Sequence, residues 1–130
     1  MTTELTHLTV VTLATSVMWI PYILDAMVVR GIMPTLANPR DDAVPLHPWA
    51  VRAKRAHANA IENLVVFAAL VFAAHLAGVH SKTTTTATSL YLWARLVHFA
   101  VYTAGAPVVR TLAFLAGFAA QAMLVVALLS

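Results

Sequence analysis

Arg55-Ala-His-Ala-Asn-Ala-Ile-Glu-Asn-Leu64 places an arginine, a histidine, two asparagines and a glutamate in a stretch that is otherwise apolar. Arg55, Asn59 and Glu62 are spaced i, i+4, i+7, so a helix puts them on one face, with Asn63 beside it. A second set, Arg95, His98 and Tyr102, is spaced i, i+3, i+7 and also shares a face. Arg110 stands just past a Gly105-Ala-Pro107 turn. A charge in hydrocarbon costs about 2.5–3.5 kcal/mol on insertion scales, so such groups persist where they find partners or do chemistry. A Glu62–Arg95 ion pair is the simplest way to neutralise two of them, acting as a structural clamp. Arg110 then has no acidic partner, which points to an anionic ligand, with lipid phosphate the plainest one.

The elements that must position these residues are membrane helices. The chain has 130 residues, 61% of them hydrophobic and 10% charged. Soluble domains carry about 25% charged residues. A span needs about 20 apolar residues, so four spans and short loops account for one domain, residues 1–130. There is no cysteine, which excludes disulfides and a protein thiolate. The net charge of +3 is spread out, which argues against nucleic acid. His57 and His98 lack metal-ligand spacing, and no metal site is expected. The N-terminal residues lack the basic region of a signal peptide, so the first segment is read as retained.

The expected spans are Leu5–Val29, kinked at Pro21; Trp49–Gly78; Thr86–Ala104, capped by a threonine of 83–86 or Thr88; and Pro107–Ser130. Pro34, Pro39, Pro45 and Pro48 make residues 31–50 a loop. Arg30, Arg40, Arg52, Lys54, Arg55 and Arg110 place the first and third loops in the cytoplasm. Arg52 and Lys54 read as topology and headgroup anchors. Asp25 either bonds a neighbouring helix or joins the polar pocket, and His7, His47 and His80 have no assigned role. At about 1.5 Å per residue, Glu62 and Arg95 lie at matching depth. The polar groups converge in the cytoplasmic half, leaving the outer halves nearly dry apart from His75 and Gln121. That describes a pocket open to the cytoplasm, too shallow for a channel.

Arg55-Ala-His-Ala-Asn-Ala-Ile-Glu-Asn-Leu64 resembles the second-span signature of the MAPEG family, membrane-associated proteins of eicosanoid and glutathione metabolism. Ala94-Arg-Leu-Val-His-Phe-Ala-Val-Tyr102 with Gly105-Ala-Pro-Val-Val-Arg110 resembles its third- and fourth-span signature. The resemblance implies an all-α, up-down-up-down four-helix membrane bundle that forms a homotrimer, consistent with the alanine-rich faces of spans 2 and 4. It implies glutathione at subunit interfaces, near the cytoplasmic side. Arg55, Asn59 and Glu62 then hold the peptide, His98 and Tyr102 stand near it, and Arg110 stabilises the thiolate. Asn63 and His98 replace tyrosines of eicosanoid-type members, which argues against an eicosanoid synthase. The short, alanine-rich form is similar to bacterial members, implying a bacterial inner membrane.

The implied function is a glutathione-dependent transferase or peroxidase for hydrophobic electrophiles or lipid hydroperoxides arriving from the bilayer. The alternative is a non-catalytic scaffold or anionic-lipid-binding bundle, with the polar layer fixing helix register. A transporter is disfavoured because the outer halves supply no acidic relay.

Overall fold

A computed structural model describes all 130 residues, and its ordered elements are all α-helices. They are α1 (Thr3–Val17), α2 (Ile20–Arg30), α3 (Ile32–Leu36), α4 (Pro48–Leu76), α5 (Lys82–Ala104) and α6 (Pro107–Leu129). Three stretches are long and apolar enough to cross a membrane: Thr3–Arg30, Pro48–Leu76 and Pro107–Leu129.

The first expected span is two helices. Pro21 has no N–H to offer the Val17 carbonyl, and the chain breaks just before it, at Met18 and Trp19. Met18 N–H turns back to Thr15 O at 3.3 Å, and helical bonding resumes with Ile23 N–H to Trp19 O at 3.1 Å. The loop expected over 31–50 also holds the short α3. Pro34 is tolerated there because it sits in the first turn, where an N–H has no intrahelical acceptor. Further along the loop, Arg40 grips Asp42 through two bonds of 2.9 and 2.8 Å. The guanidinium holds this exposed carboxyl below its usual range.

The remaining boundaries follow local chemistry. Gly78 (φ +70°) ends α4: its N–H bonds His75 O and Val79 N–H bonds Ala74 O, which satisfies two terminal carbonyls. α5 starts earlier than expected, and Ser81 caps it in place of any threonine. Ser81 Oγ accepts from Thr84 N–H at 3.2 Å while Thr84 Oγ1 accepts from Ser81 N–H at 2.9 Å, a reciprocal capping box. Thr84 and Thr88 are instead buried against α1. Pro107 opens α6 as expected.

α4 and α5 form the centre of the bundle, each packing on α1 and α6, and the α5–α6 pair is the most extensive. Ala113, Gly117 and Ala120 face inward on α6 and permit that approach. The apolar core occupies the half nearest the α4–α5 turn: Leu8, Val11, Phe67, Val71, Tyr91, Leu92 and Leu124. There the Phe67 and Tyr91 rings stack 3.7 Å apart. In the other half, α4 buries Ala50, Ala53, Ala56 and Ala60, small side chains that let helices and polar groups come close.

The three histidines without an assigned role prove to be ties between elements. His7 Nδ1 meets Thr88 Oγ1 at 2.9 Å, joining α1 to α5. His80 Nδ1 lies 3.6 Å from the buried Glu4, which accepts from Thr84 Oγ1 at 2.6 Å. This end of the bundle is therefore less dry than its sequence suggested. His47 settles the alternatives for Asp25. Its N–H and Nδ1 lie 3.0 and 2.7 Å from the buried Asp25 carboxylate, tying α2 to the start of α4.

Candidate functional site

Between the apolar core and the loop-31–47 end lies one buried polar layer, built around Arg95. This side chain is 1% exposed and among the largest fully buried ones. Its Nη1 donates to Asn59 Oδ1 and its Nη2 to Asn63 Oδ1, both at 3.2 Å. The guanidinium carbon lies 5.2 Å from the Tyr91 ring centroid and 5.3 Å from that of Phe114, within cation–π range. Asn63 Nδ2 donates to Asn59 O at 2.9 Å, and Gln121 Nε2 donates to Asn63 O at 3.1 Å. Gln121 thus belongs to this layer and not to the outer half.

The expected Glu62–Arg95 ion pair does not form. Glu62 is exposed, and no carboxylate approaches Arg95 within 4.0 Å. Depth was matched correctly, but azimuth decides contact. One residue on an α-helix is a rotation of about 100°. Positions 59 and 63, four apart, meet α5, and position 62 is rotated off that face.

Gly117 makes the room for this cation. A Cβ there would lie 2.6 Å from Arg95 Nη2 and 2.9 Å from Nε. The guanidinium cannot retreat, because two asparagines and two rings hold it. Gly117→Ala is therefore expected to destabilise by about 1–3 kcal/mol, as overpacking does, despite alanine's better helix propensity. In an Arg95→Met background the same change should be close to neutral. Thermal melts of the two single variants and the double variant check this coupling.

From Arg95 the layer runs toward the α5–α6 turn. His98 is buried, with its ring 6.2 Å from Phe114 and 5.5 Å, edge-on, from Tyr102. Arg110 lies over the Tyr102 ring, its guanidinium carbon 4.5 Å from the centroid. It makes no ion pair and lines a hollow of about 320 Å³ with Pro107, Val108, Thr111 and Leu112. The turn that carries Arg110 is itself held. Arg52 Nε donates to Thr103 O at 3.0 Å, and a Cβ on Gly105 (φ +86°) would touch the Arg52 guanidinium at 3.2 Å. Arg52 is thus a cap on the end of α5, beyond the anchor role its position suggested. Tyr22 Oη meets His57 Nδ1 at 2.9 Å, linking α2 to α4.

Of the six expected site residues, Asn59, His98, Tyr102 and Arg110 fall in one continuous chain of contacts through Arg95 and Phe114. Arg55 and Glu62 are exposed on α4 and make no side-chain bond within the protein. Phe114, and the use of Gly117 as room for a cation beyond close helix packing, escaped the sequence reading, although Arg110, Phe114 and Gly117 at i, i+4, i+7 mark the face of α6 that follows the cation. An apolar groove of about 690 Å³ lies elsewhere, between α1 and α4, lined by Leu8, Leu13, Ile61, Leu64, Val65 and Phe72. It holds none of the charged side chains of the polar layer or of the Arg110 turn.

Comparison with curated proteins finds no match. The profile of the MAPEG family, which includes glutathione transferases and peroxidases among other members, matches residues 6–130. That span holds every residue of the polar layer and of the Arg110 turn, and on it this integral membrane protein belongs to the MAPEG family.

Proposed function

We propose that this protein is a membrane-embedded glutathione-dependent transferase or peroxidase acting on hydrophobic electrophiles or lipid hydroperoxides. The observation that carries this reading is the state of the three unpaired charges. Arg110 rests on Tyr102 with no carboxylate near it, and Arg55 and Glu62 project from one face of α4 without internal partners. A peptide with two carboxylates and one ammonium complements that set. Arg55 can grip a carboxylate through two parallel bonds, and ionised Glu62 accepts from the amine.

Glutathione, when bound, supplies a thiol as nucleophile. The chain's part is to hold the peptide and bias that sulfur toward its charged form. Arg110 brings a guanidinium to the site, and a cation beside a thiol lowers its pKa. His98 and Tyr102 wall the site beside Arg110. Asn63 and His98, in place of tyrosines, leave fewer phenol hydroxyls to bond the sulfur, which places more of that task on Arg110.

In this reading α5 is a fourth crossing. Its 23 residues reach about 34 Å at the helical rise, enough for a hydrocarbon core of about 30 Å. Its polar groups Thr84, Thr88, Arg95 and His98 are buried inward, while Leu90, Trp93 and Val97 face outward. The bundle then runs up-down-up-down, with loops 31–47 and 105–106 on the cytoplasmic side of a bacterial inner membrane. The exposed charges of α4 suit an interface between copies, and a homotrimer completes the site.

The test is calorimetric glutathione affinity of the detergent-solubilised protein, with its mass in solution and turnover of a generic aryl halide electrophile. Binding below millimolar, a trimeric mass and glutathione-dependent turnover are expected. No binding at millimolar glutathione overturns the enzymatic reading. It leaves the bundle as a scaffold or a binder of anionic lipid, for which the internally bonded Arg95 layer is sufficient reason.

A further inference from the structure

The partners of Arg95 have a consequence for the ligand. We propose that Arg95 is a positioning residue that fixes Asn59 as a hydrogen-bond donor, so that the ligand atom held at Asn59 is a carbonyl or carboxylate oxygen and not an amide N–H. This rests on glutathione being the ligand, as proposed above, and it gives a polarity to the role that the family resemblance implies for Asn59.

The Arg95 guanidinium carries five donors and no acceptor. Arg95 Nη1 lies 3.2 Å from Asn59 Oδ1, so the amide oxygen is the atom that faces it. The two hydrogens of Asn59 Nδ2 must then point away. That nitrogen makes no bond inside the protein and is not among its sealed, unpartnered atoms. Asn63 differs: its oxygen accepts from Arg95 Nη2, and its nitrogen is already bonded to Asn59 O at 2.9 Å. Both ends of the Asn63 amide are thus engaged within the layer, whereas Asn59 keeps its whole NH2 group to offer.

Asn59 cannot reverse. Turning its amide would set N–H against N–H at Arg95, and Arg95 cannot yield, because Tyr91, Phe114 and Gly117 confine it. The face of α4 therefore presents a cation at Arg55, a donor at Asn59 and an anion at Glu62. A peptide zwitterion lies along it with an acceptor oxygen at the Arg55–Asn59 end and its ammonium near Glu62.

Asn59→Asp separates this from the opposite polarity. Aspartate keeps an acceptor toward Arg95 and loses both donors toward the ligand. In full-length protein, glutathione affinity is expected to fall about tenfold for Asn59→Ala, the worth of one bond to a charged group, and further for Asn59→Asp. The thermal midpoint of Asn59→Asp should be no lower than wild type, since Arg95 gains a carboxylate. Asn59→Asp binding as well as wild type overturns the proposal while leaving glutathione binding itself standing. Absence of binding by the wild type overturns the functional reading instead.

A measurement on native side chains covers a variant that fails to assemble. With ¹⁵N-labelled asparagine, the Asn59 side-chain amide protons should move downfield when glutathione is added, as for donation to an oxygen. Arg95→Lys, still a donor, should preserve that shift, and Arg95→Met should abolish it. An unmoved Asn59 amide in the wild type, or a shift that survives in Arg95→Met, overturns the assignment.

Discussion

Arg95→Ala is expected to cost about 3–5 kcal/mol of stability, and Glu62→Ala less than about 0.5 kcal/mol. The two residues would weigh equally if they formed an ion pair. Their surroundings are opposite. Arg95 is 1% exposed and donates to two amide oxygens, while Glu62 is exposed and bonds to nothing in the protein. Alanine at 95 strands both asparagine oxygens at about 1–3 kcal/mol each for those that water does not reach. It also opens a cavity beside Gly117 and removes the charge that Tyr91 and Phe114 cover. Methionine at 95 fills most of that volume and carries no charge to desolvate, so it should cost markedly less than alanine. Melting midpoints in detergent for the three variants decide the matter. A Glu62→Ala loss matching that of Arg95→Ala would restore the ion pair and remove the polar layer described above.

Arg110→Leu is expected to lower the fraction of bound glutathione present as thiolate at neutral pH by about tenfold or more, with a smaller effect on affinity. The sign follows from the charge. A cation favours the deprotonated sulfur, so its removal raises the thiol pKa, and one pKa unit corresponds to about 1.4 kcal/mol. Arg55→Leu is expected to do the reverse. It removes a carboxylate anchor on α4 and leaves the Arg110–Tyr102 contact untouched. Affinity should fall about tenfold or more, in line with a charged hydrogen bond, with little change in thiol pKa. Ultraviolet titration of the bound thiol, paired with calorimetry on both variants, reads the two quantities separately. Equal effects of both substitutions on both quantities would remove the division of roles.

These expectations depend on contacts that composition and spacing could not supply. Membrane character, the helical class and the family were legible, because a long apolar run, a proline or glycine at a helix end and a contiguous motif are local properties of the chain. Gly78, Gly105 and Pro107 marked their boundaries for the same reason. Pro21 was read as a kink and is a break, since its effect depends on how the flanking turns pack. The faces Arg55/Asn59/Glu62 and Arg95/His98/Tyr102 were correct as helix geometry. Which member of each face meets the other helix was not, because rotation about a helix axis is set by packing over the whole bundle. Spacing along one helix carries no information about it.

Read along the chain alone, the residues specify an alanine- and leucine-rich helical membrane protein with MAPEG-family motifs near one end of its helices. Helix packing is what pairs Arg95 with Asn59 and Asn63 and not with Glu62, lets its guanidinium fill the space at Gly117, and sets Arg52 as a cap on the turn carrying Arg110. The physical reason is the same in each case. A buried polar group takes whichever partner the rotation of neighbouring helices brings within about 3 Å, and that rotation is chosen by the fit of alanines and glycines many residues away.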